Sequence, residues 1–226
     1  MAVDLGRDAG VRLGGRLVRP PAGARAHGVG GTRVNGKAAT ISAAQAEADT
    51  RHWLERAVIG LNLCPFAKAV HVKGQVHYVV HLGDDDDAGL LDVLLAEAQA
   101  LVDRPASERD TTLLMAPHTL ADFLDFNDFT ARAERRLARA GFEGTLQLAS
   151  FHPRFQFGGT EADDIGNATN RAPYPTLHLL REESIDRAVE AFPEAEAIFE
   201  RNIETLESLG RAGWAALNVG VGGASR

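Results

Sequence analysis

The sequence predicts an α/β fold: a mixed sheet of about four strands, three parallel and one returning antiparallel, flanked by helices and preceded by a disordered N-terminal tail. Three observations carry this expectation. From Ser42 onward, apolar residues recur with helical and strand periods in alternation. Between Val76 and His152 the order is strand, helix, strand, helix, strand, which right-handed crossovers between parallel strands produce. A last strand, Thr176 to Arg181, follows without an intervening helix and is expected to return antiparallel.

The elements follow in chain order. Residues 1–41 are rich in Gly, Ala and Arg, carry the pair Pro20-Pro21 and show no apolar periodicity, so they bury too little surface to offset the entropy of ordering. Residues 42–226 then form one α/β domain. Trp53, Leu54, Ala57, Val58 and Leu61 share one helical face until Pro65 stops that helix. Val76, Tyr78, Val80 and Leu82 alternate on one side of a strand. The acidic run Asp84 to Asp87 sits where a first helical turn favours negative charge, ahead of Leu90, Leu91, Leu94 and Leu95. Thr111 to Ala116 is a buried strand, and Thr119 with Asp122 opens the helix carrying Phe123, Phe126 and Phe129. Gly141 and Gly144 end that helix, Thr145 to His152 is the third strand, and helices from Ser184 to Phe192 and from about Glu196 to Leu217 close the chain.

Charge is unevenly placed. Through Thr40 there are seven Lys/Arg against two Asp/Glu, and beyond it seventeen against twenty-nine, so a basic leader precedes an acidic body. An acidic body repels a phosphate backbone, which disfavours nucleic acid as a partner. No apolar run is long enough to span a bilayer, so no membrane partner is expected. Cys64 is the only cysteine, which excludes an intramolecular disulfide and a cysteine zinc cluster and suits a reducing, cytoplasmic setting. Placed at a helix end before Pro65, its thiol is expected to be a structural one. The closing helix, with Ile198, Ile203, Leu206, Leu209 and Trp214, is either core or a homo-oligomer interface.

The chemistry is expected in the 23 residues from Pro153 to Pro175, because loops of this length inside compact domains are usually functional or disordered, and Phe155, Phe157, Ile165 and Tyr174 supply anchors. His152 and His178 lie on consecutive strands and could meet across a hairpin. With Asp163 or Asp164 they would supply two imidazoles and a carboxylate, suited to acid–base work or to a metal. Arg154 and Arg171 offer planar forks for a carboxylate or phosphate, and Thr160 and Asn170 offer hydrogen bonds to a substrate. Against this, Glu161, Asp163, Asp164 and Glu182 could pair the arginines internally, and His178 shares a strand face with Thr176 and Leu180, as a buried core histidine would. His81, His118 and His152 fall at strand ends and could converge on zinc, although no close ligand pair fixes their geometry. The residues therefore admit two functions: an enzyme acting on a small anionic metabolite, metal-dependent or not, or a binding or regulatory module without catalysis. They assign no cofactor.

The strings Asn62-Leu63-Cys64-Pro65-Phe66, Asp122-Phe123-Leu124-Asp125-Phe126-Asn127, Ser150-Phe151-His152-Pro153 and Thr169-Asn170-Arg171-Ala172-Pro173-Tyr174-Pro175 through Arg181 carry a resemblance. Over Trp53 to Leu217 the chain resembles an uncharacterised bacterial family of unknown function, DUF1415. It departs from the family pattern at Ala168, where an aromatic is usual, and at Ala172, where a serine is. The resemblance implies no activity, so it assigns no residue a role.

Overall fold

The computed structural model of the chain describes residues 3–4, 12–13, 40–190 and 197–225. Val3–Asp4 pairs antiparallel with Arg12–Leu13. The expectation of disorder in the leader falls almost wholly outside the described residues, as do Phe192 and Glu196, the expected ends of the last two helices.

Four strands form the main sheet: β1 (Val76–Val80), β2 (Thr111–Met115), β3 (Leu146–Phe151) and β4 (Thr176–Arg181). Their spatial order is β1-β2-β4-β3. The expectation of three parallel strands is corrected here, since β1 and β2 are the only strands paired parallel in this sheet. β4 lies between β2 and β3 and pairs antiparallel with both, in registers that set Leu113 and Ala149 against His178. The physical reason is the long loop before β4, which reaches back across the end of β3 and lets β4 fill the slot beside β2. β3 nonetheless points the same way as β1 and β2, because two antiparallel steps restore direction. β2 is buried at every position, as the second strand of a covered sheet must be.

Helices cover both faces. Ser42 caps α1 (Ala43–Trp53) by accepting the Gln45 amide at 3.2 Å. α1 runs directly into a π-helical turn, Leu54–Ile59, whose wider winding buries Leu54, Ala57 and Val58. Gly60 ends this turn where a Cβ would lie 2.3 Å from the Arg56 carbonyl oxygen. A short α2 (Ala67–Val72) leads into β1. α3 (Asp87–Val102) is capped by Asp86, which accepts the Gly89 amide at 2.9 Å, so the acidic run is a helix start. α4 (Phe123–Arg139) is capped by Asp122 and buries Phe126, Phe129, Thr130, Ala133 and Leu137, a stripe at helical spacing.

α3 and α4 pack on one face of the sheet through Leu90, Leu94, Phe126 and Phe129 against Leu114, Leu177 and Leu179. On the opposite face Trp53, Leu54, Ala57 and Val58 pack with Phe151 and Ala172. α5 (Glu182–Glu190) follows β4 directly. α6 (Ile198–Ala216) breaks at Gly210, whose φ of 65° lies outside the helical region, so the helix expected to run unbroken to Leu217 is in two parts. Leu206 on α6 is fully buried with Leu63 and Ala168, so that position belongs to the core. Among the described residues, no helix is long and apolar enough to cross a membrane.

Candidate functional site

The long loop is built from hydrogen bonds to itself. Its centre is a 3-10 helix, Ile165–Asn170, started by Asp164, whose carboxylate accepts the Gly166 amide at 2.9 Å. Asn167 is fully buried and bonds across the loop, accepting from the Phe157 amide and the Thr160 hydroxyl at 2.9 Å each and donating to the Glu161 carbonyl at 2.8 Å. Arg171 donates to the carbonyls of Phe155 and Ala162, and burial lowers its pKa. Asn170 donates weakly to the Ser150 carbonyl, at 3.4 Å, and its own carbonyl accepts the His152 amide. Arg154, largely exposed, reaches the Ala121 carbonyl and lies 3.6 Å from Asp122. Asp163 is exposed and pairs with Arg211 of α6 at 2.8 Å. The residues expected around a substrate therefore hold the loop shut. Asn167→Ala is expected to cost about 2–3 kcal/mol, measured by urea unfolding, because it strands the Phe157 amide and the Glu161 carbonyl.

The two imidazoles expected to meet are on opposite faces of the sheet. Leu177 and Leu179 of β4 face α3 and α4, so His178 between them faces the other way. On β3, Ala149 and Phe151 share the side of His178, whose ring lies 6.1 Å from that of Phe151. His152, one residue further, turns to the α4 side and lies 5.1 Å from the Phe126 ring and 5.4 Å from that of Phe123. It is 1% exposed and complete: Nδ1 accepts the Arg154 amide at 3.0 Å, so Nε2 carries the proton it donates to the Leu120 carbonyl at 3.1 Å. Burial pushes its pKa down to about 4. Leu120 has φ of 60°, an uncommon conformation for leucine, and the imidazole holds its carbonyl in place.

The strand-end histidines do not converge either. His81 Nε2 meets the Asp86 carbonyl at 3.1 Å and His118 Nε2 meets the Ile41 carbonyl at 2.9 Å. Among the described residues, no three His, Cys, Asp or Glu side chains are grouped to hold a metal ion.

What sequence reasoning missed is a cavity of about 670 Å³ on the face opposite α3 and α4, between the sheet, the π-helical turn, α2 and α5. Its walls are mainly apolar, including Trp53, Val58, Val76, Leu113, Phe151 and Ile185. His178 lines it. The Thr111 hydroxyl donates to the Leu179 carbonyl at 2.6 Å, so its oxygen accepts from His178 Nε2 at 2.5 Å. That assigns the ring proton to Nε2 and leaves Nδ1 a bare acceptor, buried and without a hydrogen-bond partner among the described residues. Burial holds the pKa of this imidazole down at about 4, so it stays neutral. Cys64 also lines the cavity. Burial pushes its thiol pKa up, although the Phe66 and Ala67 amides oppose this, which fits the structural thiol the sequence suggested. The signal for the cavity was present in the alternation of Thr176, His178 and Leu180, but an inward face without a matching helix cannot be told from core by periodicity alone.

No curated protein and no solved structure matches the chain. A family model described as a protein of unknown function, DUF1415, matches residues 45–216, which takes in all four strands of the main sheet, the long loop and the cavity walls. The chain belongs to this DUF1415 family.

Proposed function

We propose that the chain is a small-molecule binding module whose ligand occupies the cavity beside His178 and has a largely apolar body. The observation that carries this reading is the cavity of about 670 Å³ itself, with mainly apolar walls and His178 among its lining residues. Apolar walls with a few placed polar groups are the usual make-up of a ligand pocket, and the volume lies in the ordinary range for one. The enzyme reading of His152, His178, Asp163 and Asp164 is less well supported, since the first two lie on opposite faces, Asp163 pairs with Arg211 and Asp164 caps the Gly166 amide.

Calorimetric titration with 1-naphthol, an apolar ring with one O–H donor, tests the reading. One saturable site is expected, weakened at least tenfold by Ala188→Trp, which fills the cavity from α5, in protein whose circular dichroism is unchanged. Equal binding to the filled variant would place the ligand elsewhere, and absence of binding of both 1-naphthol and a donor-free naphthalene probe to the native chain would remove the proposal.

A further inference from the structure

We infer that β1 is a pairing edge for a second copy of this chain, with two β1 strands running antiparallel across a two-fold axis at Tyr78 so that the two four-stranded sheets become one.

β1 ends the sheet, and among the described residues no strand pairs with its outer side. Its parallel register runs from Val76 opposite Thr111 to Val80 opposite Met115. The Thr111 amide donates to the Gln75 carbonyl at 3.3 Å and the His81 amide to the Met115 carbonyl at 2.8 Å. The bonds to β2 therefore fall on odd-numbered residues, and the N–H and C=O groups of Val76, Tyr78 and Val80 point outward. Every residue of β1 is at least partly exposed, whereas β2 is buried throughout. At the opposite edge β3 buries Leu146, Ala149 and Phe151 and has Arg12–Leu13 close to it. Edge strands are commonly protected by lysine, proline or a bulge, and Val76-His77-Tyr78-Val79-Val80 has none of these. Two exposed apolar side chains bracket it, Val72 at 75% and Leu82 at 48%.

A second copy fits this edge because the pattern is its own complement. Setting Tyr78 opposite Tyr78 places Val76 opposite Val80 and Val80 opposite Val76. All three are pairs that exchange both backbone bonds, so each outward group on either strand finds a partner. The facing side chains are valines and tyrosines, which suit cross-strand contact. No like charges meet, since the strand holds no Lys, Arg, Asp or Glu. Arg51, 3.8 Å from the centre of the Tyr78 ring, is matched by Glu47 at 2.8 Å.

Sedimentation equilibrium of the full chain is expected to show monomer and dimer in exchange with a Kd of about 1–50 µM, as a small interface gives. Hydrogen exchange should show the Val76, Tyr78 and Val80 amides gaining protection as concentration rises, while His77 and Val79, already bonded to β2, do not change. Val80→Pro removes an outward donor from each copy and no bond to β2, and is expected to weaken the dimer about tenfold or more. Leu82→Glu leaves the backbone as it is and should weaken the dimer too, with circular dichroism unchanged; it decides the matter alone if Val80→Pro fails to fold. A native chain that stays monomeric throughout that concentration range would overturn the inference. A dimer that both variants leave intact would place the interface elsewhere and overturn it equally.

Discussion

Asp49→Ala is expected to lower the stability of the chain by about 3–5 kcal/mol, among the largest losses available from one substitution, because a buried acceptor of several hydrogen bonds disappears. Asp49 is fully buried on α1. Its carboxylate accepts the Tyr174 hydroxyl at 2.7 Å, the Gly222 amide at 2.8 Å and the Ala224 amide at 3.1 Å. One side chain thus ties the first helix, the end of the long loop and the C-terminal turn Gly223–Ser225 together. Guanidinium unfolding should show the loss as a lower midpoint. Removing residues 219–226 should cost much less in Asp49→Ala than in the native chain, since the partners of those amides have already gone. Burial alone would raise the Asp49 pKa, but the Gln45 side chain together with the Gly222, Tyr174 and Ala224 hydrogen bonds outweighs it and holds the carboxyl below its ordinary value of 3.8. The sign follows: the unfolded carboxyl takes up its proton first. The contribution of Asp49 is whole above that ordinary value and is lost as pH falls through the lower folded one.

Stability is also expected to fall as pH drops from about 6.5 toward 4, well before the carboxylates titrate. His152 and His178 have folded pKa values near 4 against an ordinary 6.5, in both cases because burial opposes the charge. In that window the unfolded chain binds protons that the folded chain refuses, so each imidazole favours unfolding as acid is added. For His152, which is 1% exposed, a depression of this size corresponds to roughly 3 kcal/mol between neutral pH and pH 4. Thermal melts at half-unit pH steps should show the slope. His178→Phe is expected to flatten it without changing stability much at pH 7.5. His152→Phe should flatten it too, but at a cost of about 1–3 kcal/mol at pH 7.5, because the Leu120 carbonyl and the Arg154 amide lose their partner. A melting temperature flat from pH 6.5 to pH 4.5 in the native chain would show that these rings are not buried neutral.

Much of this architecture is legible in the residues, and the limits have physical causes. β4 from Thr176 to Arg181 follows from its β-branched and apolar pattern, and the caps at Ser42, Asp86 and Asp122 follow from short polar side chains just before apolar periodicity. Strand order does not follow, because periodicity fixes which side a residue faces and says nothing of which strand lies beside it. The same limit hid the separation of His152 from His178: twenty-five residues of intervening chain erase any relation of side between two strands. The polar residues of the long loop were visible, but Asn167 and Arg171 satisfy backbone groups of an irregular segment, a demand that arises only once the segment is buried. Asp49 could have been noticed. It stands three residues after Ala46 and four before Trp53, on the buried side of α1, where a carboxylate persists only if donors surround it.

The central claim is that the ligand side of this sheet is the face of His178, and that the loop side around His152 is a brace. Long-range proton–nitrogen NMR of the histidine rings tests it most directly, with 1-naphthol added to uniformly nitrogen-15-labelled chain. Before addition, both rings should be neutral with the proton on Nε2 at pH 7. On addition, the ring resonances of His178, which lines the cavity, should shift, while both nitrogens of His152 stay where they were. A shift at His152 with His178 unmoved would contradict the account and return the site to the long loop.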